Sequence, residues 1–356
     1  MHDNLLSRTI ASVSKLDAET MRLARKRLDS LTKPQGSLGK LERMVERLAG
    51  ITGHVCPEFA DKRVIIFAAD HGVAKEGVSA FPQEVTAQMV QNFLTGKAAV
   101  NCFAATAKAA VVCVDVGVAA DLSRAKGLVS RKIAYGTGNM ALEQAMSKAQ
   151  TIQALEAGIE VATEQIAAGA RLLATGEMGI GNTTASSAVL AALAGCSAED
   201  VVGKGTGIAE SRVRHKVAVI ERALALHRPD ADNPLEVLEK VGGLEIAAIA
   251  GFVLGCAAQR VPVVIDGFIS TVAALCATRL CPLAANYLLA SHLSEEPGHR
   301  LALNMMGLKP GLHMDMRLGE GTGAVLMFPL IDAACHMMQH MATFAEASVA
   351  ERCENS

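Results

Sequence analysis

Six segments of the chain share one scheme: a short, nearly unbroken apolar run, an acid or glycine at its end, a glycine-bearing loop, then apolar residues at helical spacing. They are "RVIIFAADHG", "AVVCVDVGV", "RLLATGE", "VPVVIDGF", "NYLLASHLSEEPG" and "MDMRLGEGTGA". An apolar run without alternation is what a strand covered on both faces requires, and a helix between successive strands makes them parallel. The scheme predicts an α/β fold with a doubly wound, mainly parallel, Rossmann-like sheet. Ahead of it, from Asp17 to about Gly50, helical spacing is interrupted by "KPQGSLGKLE", where Pro34 and Gly36 make a turn and Ser37 can cap the next helix. After it, Phe328 to about Ala350 reads as a helix with Met and His on its faces, packing with the N-terminal helices. The expected division is a small helical domain, residues 1–55 plus 329–356, and a large α/β domain, residues 56–328.

Length and composition narrow the function. With 356 residues, 51% of them apolar, the chain can bury a large core and build a deep site. A formal charge of -2, 3% aromatic residues and no Trp argue against a nucleic-acid surface and favour small-molecule chemistry. Nine cysteines, an odd number with no CxxC pair, fit buried thiols in a reducing cytoplasm. No signal peptide is visible at the N-terminus, and stretches such as Met178 to Ala198 are too polar to cross a bilayer, so a cytoplasmic protein without membrane spans is expected. Cys335, His336 and His340 in "CHMMQH" have no carboxylate or further Cys/His cluster to complete a metal site, and the helix reads as adaptable core.

In an open parallel sheet, ligands sit outside the carboxyl ends of the strands. Those ends hold Asp70, Asp115, Glu177, Asp266 and Glu320. Asp115 and Asp266 read first as residues that cap a helix or brace a turn. "ATGEMGIGNTT" differs: a strand stopping at Gly176, turning through Gly179 and Gly181 and restarting as a helix near Thr183 leaves backbone N–H groups as a cradle for an anion. Glu177 would repel a phosphate placed against it, so it faces another part of the ligand. The expected ligand has an anionic end and a second, different end.

Seven motifs in order, "KPQGSLGKLE", "ADHGVAKEGVSAFPQEVTAQ", "GEMGIGNTT", "VGKGTGI", "VIDGFIS", "SHLSEEPG" and "MRLGEGTGA", resemble the nicotinate-nucleotide:dimethylbenzimidazole phosphoribosyltransferase family across almost the whole chain. The resemblance implies phosphoribosyl transfer from nicotinate mononucleotide to a benzimidazole nitrogen, giving α-ribazole 5'-phosphate and nicotinate, and it implies a homodimer. Glu320 resembles the family's general base and Glu177 its second active-site glutamate. Gly179, Gly181, Asn182, Thr183, Gly205, Lys216, Ser294 and Gly323 match the phosphate and ribose contacts. Phe81, Gln88, Met89, Met178 and Leu318 are the candidates for the base pocket. No cofactor or metal is expected, because nicotinate leaves as a neutral pyridine and asks for no charge neutralisation.

A nicotinamide-dependent oxidoreductase is the rival enzyme class. Gly179 and Gly181 echo half a dinucleotide fingerprint with Glu199 and Asp200 about twenty residues on, but Thr184 replaces the third glycine and the acids follow what reads as a helix end. A non-catalytic nucleotide-binding partner subunit is the other alternative, against which Glu177, Lys216 and Glu320 speak.

Overall fold

Each of the first five apolar runs becomes a strand in the computed structural model, which describes residues 4–203 and 210–350. They are β1 (Lys62–Ala69), β2 (Ala110–Gly117), β4 (Leu172–Met178), β5 (Val263–Ile265) and β6 (Leu288–Ala290), joined by a two-residue β3 (Val129–Ser130). The order across the sheet is β3-β2-β1-β4-β5-β6, and every neighbouring pair is parallel. The doubly wound sheet expected from the sequence is present. Its order reverses between β1 and β4, where successive crossovers leave in opposite directions and open a crevice beyond the carboxyl ends.

The sixth run behaves differently. A strand of two residues, Leu312–His313, pairs with His292–Leu293 outside the main sheet, and the residues from Met314 to Gly319 form no regular element. Gly319, Glu320 and Gly321 have φ of 87°, 64° and 94°. Three consecutive left-handed residues cannot continue a strand, so the segment turns into the helix Thr322–His340 instead.

Two units divide the chain: Met1–Ser14 with Asp61–Met327, and Lys15–Ala60 with Phe328–Ser356. The first helix, Leu5–Ser12, goes with the larger unit, unlike the division expected from sequence. Its Leu6 N–H donates to Glu156 on the helix Lys148–Ala167 at 3.3 Å. That long helix packs on Leu244–Ala258 at very close range. A Cβ on Gly158 would lie 1.9 Å from the Ala248 carbonyl oxygen, and one on Gly251 would lie 1.8 Å from that of Leu155.

In the smaller unit, helices Ala18–Ser30 and Lys40–Thr52 flank the "KPQGSLGKLE" turn. Ser37 does not cap the second helix. Gly39 is the cap residue, without a side-chain hydrogen bond, and Glu42 reaches back to accept from the Leu38 N–H at 3.0 Å while pairing with the buried Lys33 ammonium at 2.9 Å. Burial works against the Glu42 charge, but Lys33 prevails and holds the carboxyl below its ordinary range. Arg27 donates to the carbonyls of Met338 and Gln339, which docks the C-terminal helix on the N-terminal ones within this unit. Among the described residues no helix is long and apolar enough to cross a membrane.

Candidate active site

The loops after β4, β5 and β6 meet the segment after β1 and the 317–320 turn around a cavity of about 330 Å³ in the larger unit. Its wall includes Glu177, Met178, Gly179, Gly181, Asn182, Thr183, Ser294, Leu318, Glu320, Phe81 and Met89, all singled out by sequence. Lys216 stands one step behind, its Nζ donating to the Thr183 hydroxyl at 2.8 Å. Gly323 lies against the ring of His292, a wall residue. Gln88 is exposed on the helix Val85–Leu94 and is not part of the wall, whereas Val85 and Met89, one turn apart on that helix, are. Gly205 lies outside the described residues.

The strand-end carboxylates divide by role. Asp115 accepts from the N–H groups of Gly117 and Val118 and pairs with Lys132 at 2.9 Å; Asp70 accepts from the Ala119 N–H at 2.8 Å. Asp266 accepts from Gly321 N–H at 3.1 Å and Ala324 N–H at 2.9 Å, so it caps the helix that follows Glu320. These three hold loops in place, the role the sequence suggested for Asp115 and Asp266.

Glu177 and Glu320 instead face the cavity, although each is more than nine-tenths buried. Burial, reinforced by Asp266 and Glu245, pushes the Glu177 carboxyl up to about 8, and Asn182 Nδ2 donates to it at 2.5 Å. Burial also raises Glu320, against the Val100 N–H, which donates to its Oε2 at 3.4 Å. The Glu320 backbone is left-handed, which costs a non-glycine residue about 1–2 kcal/mol. Flanking glycines and the Asp266 cap hold it there. Such strain is found where geometry at one side chain matters.

The glycine turn after β4 offers a smaller anion seat than its sequence suggests. The Ile180 N–H is taken by Thr86 Oγ1 at 3.1 Å, that of Asn182 by the Gly179 carbonyl, and that of Thr184 by the Gly181 carbonyl. The helix Asn182–Ala194 still begins without a side-chain cap, with Thr183 and Lys216 beside its opening. Beneath the turn, His71 Nε2 and Glu245 Oε1 form a fully buried pair at 2.6 Å. Burial disfavours the charged ring, yet Glu245 outweighs it and raises His71. Lys216, also buried, is lowered to about 8 by desolvation, opposed by Glu296.

Among the wall residues that sequence reasoning passed over, three have ionisable side chains. His292 and Glu296 lie within "SHLSEEPG" on either side of Ser294, and Arg317 precedes Leu318. Their nearness to recognised positions was the available signal. The oxidoreductase reading loses its acidic residue: Asp200 accepts from Ser197 N–H and Oγ in a turn and ends no strand.

Residues 13–349 match a family model described as phosphoribosyltransferase. The chain is 56% identical over 351 residues, 99% of both chains, to the nicotinate-nucleotide–dimethylbenzimidazole phosphoribosyltransferase of Chloroflexus aggregans. It is 53% identical to the enzyme of the same name from Roseiflexus sp., over 99% of this chain and 100% of that one. The crystal structure of nicotinate-nucleotide–dimethylbenzimidazole phosphoribosyltransferase from Thermus thermophilus superposes with a TM-score of 0.90 at 50% identity, covering 95% of this chain and 100% of that one. With five of the seven motifs contributing to the wall of one cavity and the similarity running end to end, the chain belongs to the nicotinate-nucleotide–dimethylbenzimidazole phosphoribosyltransferase family.

Proposed function

We propose that the protein transfers the 5-phosphoribosyl group of nicotinate mononucleotide to dimethylbenzimidazole or a related lower-ligand base, giving α-ribazole 5'-phosphate and nicotinate for the nucleotide loop of cobalamin. One ring nitrogen of the acceptor attacks C1' of the ribose as the bond to nicotinate breaks, with inversion. Nicotinate departs as a neutral pyridine and takes no proton. The acceptor's other nitrogen carries a hydrogen that becomes acidic as the new bond forms, and Glu320 is the group that receives it. The phosphate lies toward Lys216, Thr183 and Ser294, the acceptor toward Phe81, Met89, Met178 and Leu318. We propose further that the protein works as a homodimer in the cytoplasm.

The observation that carries this reading is Glu320 itself: a buried carboxyl of raised pKa, on a left-handed turn, opening onto the cavity beside a second glutamate. A base poised closer to neutrality than an ordinary glutamate suits proton removal from a weak acid. In single turnover, Glu320→Gln is expected to lower the rate with dimethylbenzimidazole by roughly 100- to 10,000-fold, while calorimetry still detects nucleotide binding. An N-methylated benzimidazole has no ring proton to lose and should be far less affected. Equal losses with both acceptors would assign Glu320 to electrostatic stabilisation, and no loss with either would remove it from the chemistry.

A further inference from the structure

Two buried histidines follow β6, their rings edge to face with centroids 6.1 Å apart. His299 has both nitrogens occupied: Nδ1 accepts from the Ser294 N–H at 2.8 Å and Nε2 pairs with Thr271 Oγ1 at 2.9 Å. Burial lowers it to about 3, so it is a neutral brace for the Ser294 loop. His292 is only half satisfied. Its Nδ1 lies 3.0 Å from Ser291 Oγ and 3.9 Å from Asp266 Oδ1, and its Nε2 has no hydrogen-bond partner among the described residues. The residue is 2% exposed, yet it forms part of the cavity wall.

The ring cannot turn away. A Cβ on Gly323 would fall 1.9 Å from Nδ1, so the helix start packs directly against that edge, and the Cβ position of Gly267 is 3.5 Å from Nε2. Gly267 also borders Ser294, at 3.7 Å, on the side assigned to phosphate. On the other side Asp266 reaches the Gly321 N–H, next to Glu320. His292 thus stands between the phosphate end and the reacting end, where a mononucleotide has its sugar.

Building on the transferase reading, we propose that His292 contacts the substrate directly: its Nε2 pairs with a ribose hydroxyl of the donor nucleotide, while Ser291 and Asp266 fix the ring through Nδ1. No proton needs to move through His292, because nicotinate leaves unprotonated and Glu320 serves the acceptor. What it supplies is orientation of the sugar, so that C1' faces the incoming nitrogen.

Nicotinate mononucleotide and its 2'-deoxy and 3'-deoxy forms, each with the parent protein and with His292→Asn and His292→Gln, test this. Asparagine can replace the Nδ1 contacts but not reach the Nε2 position, whereas the longer glutamine amide can. With the parent, one deoxy donor is expected to lose about 10-fold in kcat/KM and in calorimetric affinity. His292→Asn should treat that donor and the natural one alike, and His292→Gln should recover part of the discrimination. If the parent handles all three donors equally, or if His292→Asn weakens all three by the same factor, the ribose contact is wrong. The parent comparison needs no variant to fold. The binding arm needs no turnover, so discrimination without any nicotinate release would overturn the transferase reading and leave the His292 contact standing.

Discussion

The Glu177 carboxyl is pushed up to about 8 because burial removes water and Asp266 and Glu245 lie nearby, which the hydrogen bond from Asn182 does not offset. Between its ordinary 4.5 and about 8 the unfolded chain releases the carboxyl proton and the folded chain keeps it, so this group makes stability fall as pH rises across that window. Glu177→Gln, which cannot ionise, should therefore melt close to the parent at about pH 4.5 but higher at about pH 9, by on the order of several °C. An equal shift at both pH values would locate the effect in packing. The neighbouring Lys216 is lowered to about 8 and sits against Thr183. A bound phosphate would favour its charged form, so Lys216→Met, which keeps most of the volume, should raise the KM for nicotinate mononucleotide by roughly 10-fold or more and leave that for the acceptor nearly unchanged. An unchanged donor KM would exclude Lys216 from phosphate binding.

At the scale of elements, the pair Lys148–Ala167 and Leu244–Ala258 is held by backbone proximity as well as by side-chain packing. Gly251→Ala would drive a methyl group to 1.8 Å from a carbonyl oxygen, and neither backbone can yield without separating the helices. The expected loss is about 2–3 kcal/mol or more, read from the urea midpoint. A loss under about 1 kcal/mol would mean that the helices can slide. This contact was not legible in the sequence, where a glycine inside a helix signals only a weakened helix. The strands were legible, because a run such as Val64 to Ala69 has to be buried on both faces. The last run misled for a local reason: Met314 to Gly321 ends in the same acid-and-glycine pattern as the others, but Asp315 and Arg317 interrupt its apolar residues and its glycines serve a left-handed turn. Ser37 misled similarly, since a capping residue type does not show whether a glycine two positions later takes the cap.

For the molecule as a whole, the sheet and the family could be read in advance, and the make-up of the cavity wall only in part. Five of the seven motifs located most of the cavity wall, but His292 could not be told from His299 without knowing which ring nitrogens the fold had already occupied. Gln88 was placed by its motif, and helical phase turned it to solvent. Assembly is a question at this scale too. Light scattering is expected to give about twice the chain mass of 37.1 kDa, and a monomer across the micromolar range would end the homodimer proposal.

The cavity is graded from floor to rim. Glu177 and Glu320 are 6% and 7% exposed, whereas Phe81 and Leu318 are 51% and 52% exposed. Exposed positions away from caps and buried networks usually tolerate substitution within about 0.5 kcal/mol, while buried carboxyls do not. On the proposed reading, single rim substitutions at Phe81 or Leu318 would shift acceptor preference while leaving the buried carboxyls in place.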